Sequence, residues 1–170
     1  MRRIVGWLFL LVALGLAAVA VVSVLARFGD GPIGPIPGGP FRASAEDPSS
    51  LDRALAAKAD TIEIEVGKDH PLTRTTWIVA EDGTLYVPAG GAAYKTWPKQ
   101  AEADGAMRIR LDGHVFALKA TRVTDPALHA KLLEAAAAKY HLTGDPNGAM
   151  AQGTWFFRLD PQTPGGVAGP

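Results

Sequence analysis

Apolar and polar positions follow three different rhythms along this chain, and each predicts a different kind of element. Residues 4–26 carry no charge for 23 positions, with only Gly6, Gly15 and Ser23 among the Ala, Val, Leu, Ile, Phe and Trp. A helix of that length reaches roughly 35 Å, enough to cross a hydrocarbon layer of about 30 Å. From Thr61 the period is two: Ile62, Ile64 and Val66 are expected to face a core, with Glu63 and Glu65 facing water. Two further apolar stretches, 75–80 and 84–87, flank Asp82-Gly83 and predict a hairpin, because an Asp-Gly pair suits the tight turn that matches strand twist. A second hairpin is predicted over 106–111 and 114–123 around Asp112-Gly113, and a closing strand over 154–159. The helical rhythm appears at 51–58, with Ser49 and Ser50 as caps, and in a short segment over 97–103. It is clearest after Asp125-Pro126, where Leu128, Leu132, Leu133 and Ala136 share one face and the pattern stops near Lys139-Tyr140-His141.

Breaker residues divide these elements. Residues 29–40 hold four prolines and five glycines in twelve positions, a composition expected to support neither helix nor sheet, so a linker or docking arm is predicted, with Ile33 and Ile36 available to lie against a domain or partner. Gly144 to Gly148 reads as a loop, and the Pro- and Gly-rich end as disordered. The resulting partition is an anchor at 1–29, a linker at 30–45, a folded domain at 46–160 and a tail at 161–170. Six strands joined mostly by tight turns, with helices at the crossings, predict a mainly β (α+β) antiparallel barrel, since a parallel sheet needs a helix at nearly every connection.

Charge sharpens the picture of the head. The chain balances 17 basic against 17 acidic residues, but Arg2, Arg3 and Arg27 stand without an acid up to Gly29, leaving 14 against 17 beyond. The two leading arginines predict a cytoplasmic N-terminus and a domain on the extracytoplasmic side of the inner membrane. A cleaved signal peptide is the rival reading, with a small-residue site at Val24-Leu25-Ala26, although the apolar run exceeds the usual 7 to 15 residues. The absence of cysteine excludes thiol nucleophiles and Cys-ligated metals, and the balanced charge argues against a nucleic-acid partner.

His70, His114, His129 and His141 show no paired metal-ligand spacing, and neither a nucleophile elbow nor a phosphate-binding glycine loop occurs. One constellation stands out. Lys68, Arg74, Thr75 and Thr76 fall where the first strand gives way to the second, and Lys95 and Trp97 lie just beyond the third. Converging in a barrel, they would set cations and hydroxyls beside an indole, which suits a planar anionic ligand. The same residues equally suit solvated loop charges, strand formers and, for Trp97, a core plug.

Gly67-Lys68, Arg74-Thr75-Thr76, Asp82-Gly83, Gly90-Gly91, Lys95-Thr96-Trp97 and Ala103-Asp104-Gly105-Ala106, in that order of elements, resemble the pyridoxamine 5′-phosphate oxidase-like split barrels, most of all their deazaflavin-dependent nitroreductase branch. The resemblance spans residues 61–159. It implies a six-stranded split barrel with flanking helices, often a homodimer, that binds FMN or a deazaflavin and moves a hydride to or from a small organic substrate. By position, Lys68, Arg74, Thr75 and Thr76 would hold the phosphate side and Lys95 with Trp97 would close over the cofactor. The chain departs from the pattern at Asp69-His70-Pro71-Leu72, where the nitroreductase branch has Ser-Gly, and at Pro98-Lys99-Gln100, where an Asn follows the tryptophan. Two function classes therefore stand: an anchored reductase using a flavin-type cofactor, and a non-catalytic exported module, without a cofactor, that binds a ligand or packs against a membrane-protein partner.

Overall fold

The computed structural model describes residues 2–144 and 148–162. In chain order the elements are α1 (Arg2–Ala26), β1 (Gly31–Ile33), β2 (Ile36–Gly39), a 3-10 turn (Pro48–Ser50), α2 (Arg53–Lys58), β3 (Thr61–Val66), β4 (Leu72–Trp77), β5 (Val79–Glu81), β6 (Thr84–Ala89), a second 3-10 turn (Ala92–Tyr94), α3 (Thr96–Asp104), β7 (Ala106–Leu111), β8 (His114–Arg122), α4 (Pro126–Tyr140), α5 (Ala149–Gln152) and β9 (Trp155–Pro161). The loop expected at 144–148 lies partly, and the tail expected at the chain's end mostly, outside the described residues.

All nine strands join one antiparallel sheet in the order β1-β2-β4-β3-β7-β8-β9-β6-β5. The sheet curls so that β4 and β5, far apart in that order, are one chain bent at Ile78. The barrel is thus closed by the covalent chain and not by a ladder of hydrogen bonds, which is a split barrel. Both Asp-Gly turns form as expected: Asp82 and Gly83 have φ of 48° and 72°, Asp112 and Gly113 of 50° and 84°, the paired left-handed geometry of a two-residue hairpin. Asp125 caps α4 through the Ala127 N–H, and Leu132 and Ala136 are its buried face. At α2 the cap differs from expectation: Asp52 accepts from Leu55 N–H at 2.9 Å, while Asp47, and neither serine, caps the preceding 3-10 turn. Carboxylates are as competent as hydroxyls here, and the two extra turn residues move the helix start to Arg53.

Two expectations about the outside of the barrel are corrected. The Pro- and Gly-rich arm does form sheet: β1 and β2 make a hairpin whose Gly38 pairs with Thr73 of β4. Pro32 lies in β1, the edge strand of the sheet, where a missing N–H is tolerated, and the arm's glycines permit backbone contact that no side chain would allow. A methyl at Gly38 would coincide with the Gly31 carbonyl oxygen. Nor do Glu63 and Glu65 simply face water. They stand beside Arg110 and Arg108 across the β3–β7 register, and the chain from Asp30 to Glu46 crosses that face. Glu65, only 8% exposed, bonds Arg108 at 2.8 Å and accepts from Phe41 N–H. Arg110 bonds Glu63 and Asp30, and the buried Phe41 ring lies 4.5 Å from its guanidinium and 5.7 Å from that of Arg108. Alternation identifies a face as polar; it does not identify what covers the face.

Candidate functional site

The β3–β4 connection forms one rim of a cavity of about 310 Å³. Gly67, at φ 95°, turns the chain away from β3 with its backbone close to the His70 carbonyl and the Gln100 side chain. The Asp104 carboxylate, at the end of α3, accepts from Lys68 N–H at 3.0 Å and ties the rim to the helix. The partly exposed Pro71, Ala106 and Ala117 supply apolar wall, and Lys68, Glu65, Asp104 and Arg108 the polar groups. Arg108 is already engaged by Glu65 and by the carbonyl oxygens of Phe41 and Ala43. Among the described residues no acid pairs with the exposed Lys68 ammonium, so it is the cation this cavity has to offer.

The six residues singled out in the sequence do not form one cradle. Lys68 is at the cavity. Arg74 points to the other side of β4, with its guanidinium 5.6 Å from the Trp97 ring and its Nε buried without a hydrogen-bond partner among the described residues; burial holds its pKa below the usual arginine range. Trp97 is 3% exposed and lies 5.8 Å from Phe157, so its indole is a plug in the barrel core and offers no face to a ligand from outside. Thr75 is on the outer face, where its hydroxyl donates to the Gly34 carbonyl at 3.1 Å, and Thr76 pairs with Ile62 on the inner side. Lys95 is exposed at the start of α3. Only Arg74 and Trp97 are brought together. Glu65, Asp104 and Arg108 were missed, although the opposed charges of 63/65 and 108/110 at matching strand positions are a legible signal once β3 and β7 are known to pair.

No protein-family model and no curated protein matches the sequence. Solved structures do. A conserved hypothetical protein, Rv2991 of Mycobacterium tuberculosis, is similar at 13% identity and a TM-score of 0.53, covering 71% of this chain and 87% of its own. A Listeria innocua protein assigned as a pyridoxamine 5′-phosphate oxidase is similar at 13% identity and a TM-score of 0.50, covering 65% and 90%. With the bent β4–β5 strand, the tight hairpins and the open closure already described, this likeness establishes that the chain has the fold of the pyridoxamine 5′-phosphate oxidase-like split barrels.

Proposed function

We propose that this protein is a membrane-anchored split barrel, held by α1 with the barrel on the extracytoplasmic side, that binds a small anionic organic molecule at the Lys68 cavity. The unpaired Lys68 ammonium beside an apolar wall carries this reading: one cation and a hydrophobic surface favour a ligand with an anionic end and an apolar body. A volume of about 310 Å³ is at the small end of the range for ligand sites. Two features of the sequence support the anchor: residues 7–26 are apolar enough to span a bilayer, and Arg2 and Arg3 precede them.

FMN and deazaflavins combine an anionic tail with a flat ring and are the first class to try. The residues present do not fit the cradle expected for such a cofactor, because Trp97 is sealed in the core and Thr75 is committed beneath the arm. Binding without catalysis is therefore the better-supported class. The full chain in phospholipid nanodiscs should be titrated with FMN and with a deazaflavin, followed by the polarisation of ligand fluorescence. A ligand whose anionic end sits at Lys68, outside the cradle that Trp97 and Thr75 do not form, should bind saturably and about tenfold more weakly to Lys68→Glu, the scale of one charge-assisted hydrogen bond. Filling the cavity with Ala117→Trp should abolish binding. Binding that neither substitution changes would remove the cavity from consideration, and failure of both ligands to bind would remove the flavin class.

A further inference from the structure

The end of the barrel remote from Lys68 carries exposed large apolar side chains and is held beside the last turns of α1. β2 runs back along that helix. Gly39 abuts the carbonyls of Arg27 and Gly29, beyond the helix end, whereas Ile36 and Pro37 face Ser23, Val24 and Arg27 across a groove of about 300 Å³. Ile33 pairs with Ile36, so the hairpin tip stands level with Ser23 and Val24, inside the apolar stretch Trp7–Ala26. β4 travels with the tip, since Thr75 bonds the Gly34 carbonyl, and two residues farther on lies Trp77. Trp77 stacks on Tyr140 with ring centroids 4.4 Å apart, and Leu142 follows at the end of α4. Ile33, Trp77 and Leu142 are 51%, 43% and 45% exposed, a costly arrangement for large apolar groups in water. Indole and phenol rings with a polar tip are the side chains that bilayer surfaces favour.

The geometry points to this end of the barrel, carrying Ile33, Trp77 and Leu142, resting in the surface of the phospholipid bilayer that α1 crosses. The inference rests on the membrane-anchor reading above. Its consequence is an orientation. Thr61 pairs with Trp77 at one end of the β3–β4 ladder and Val66 with Leu72 at the other, so Lys68 lies roughly 20 Å farther from the lipid, at about 3.3 Å per residue, and the cavity opens away from the membrane.

The natural absence of cysteine makes the test direct. Single variants Ile33→Cys, Leu142→Cys, Lys68→Cys and Leu16→Cys of the full chain are labelled with an environment-sensitive fluorophore and placed in vesicles of phosphatidylcholine and phosphatidylglycerol. Spin-labelled lipids then quench by depth. Labels at 33 and 142 should be quenched severalfold more than the label at 68 and should emit to the blue of it. If the label at 16 is quenched but those at 33 and 142 behave like 68, the orientation is overturned while the anchor stands. If the label at 16 is also unquenched, the anchor reading falls with it. Positions 33 and 142 are both exposed and lie on different elements, so each gives an independent result should one variant fold poorly.

Discussion

Lys139 shows how one side chain can connect elements that are distant in sequence. Its ammonium donates to the carbonyl oxygens of Ala57, Ala59 and Ile78 at 2.7–2.9 Å, which satisfies the end of α2 and the bend between β4 and β5 together. Burial draws its pKa below the ordinary lysine value, with Asp60 opposing. Lys139→Met keeps the apolar stem and leaves the carbonyls without their donor, so a loss of about 3 kcal/mol is expected, read as a fall in melting temperature of roughly 10 °C. His114 offers a pH handle. Its imidazole is 2.6 Å from Glu46, and the hydrogen bond and charge of that carboxylate raise its pKa above 6.5. A raised folded-state value means that the contribution of the pair to stability is complete below the unfolded pKa near 6.5 and is lost as pH rises through the higher folded value. NMR titration should find the His114 midpoint above 6.5, and Glu46→Gln should bring it back; an unchanged midpoint would remove the ion pair as the cause.

At the scale of elements, the β1–β2 hairpin is the part that composition misjudged. Twelve residues with four prolines and five glycines have no preference for sheet, yet they pair because β4 offers a free edge and because Gly38 and Gly39 let backbones meet. Gly38→Ala tests this. The new methyl meets the Gly31 carbonyl and the Pro32 nitrogen, both backbone atoms that cannot rotate aside. The hairpin should detach, seen as faster amide exchange over residues 31–39 and tryptic cleavage after Arg42, while exchange in β7 and β8 stays slow. Protection of 31–39 equal to the parent protein would show that the contact relaxes cheaply. The Asp-Gly turns and the α4 cap were legible because their cause is local: a left-handed φ pair, or a carboxylate two residues from the N–H it caps. The cover over Glu63 and Glu65 was not legible, because it comes from residues about 20 positions away.

For the whole molecule, the placement of α1 and the barrel decides which surfaces a ligand or a membrane can reach. The two leading arginines predict that a reporter enzyme active only outside the cytoplasm, fused after Pro170, will be active; a silent fusion would reverse the orientation. Local pattern was enough to establish the apolar span, most of the barrel strands, the two tight hairpins, the amphipathic α4 and a mainly antiparallel β fold, since each depends on residues within a few positions of one another, but not β1, β2 or the bend between β4 and β5. Tertiary structure decided the rest. It turned Trp97 inward against Phe157, drew Thr75 under the arm, placed Arg74 and Lys68 on different sides of the sheet and joined β4 to β5 across the barrel's open seam. Residues adjacent in sequence on a strand point to opposite faces, so nearness along the chain says little about convergence in space. Whether cations, hydroxyls and a ring meet at one site depends on the register and curl of all nine strands, and those are set by packing between segments that no local pattern connects.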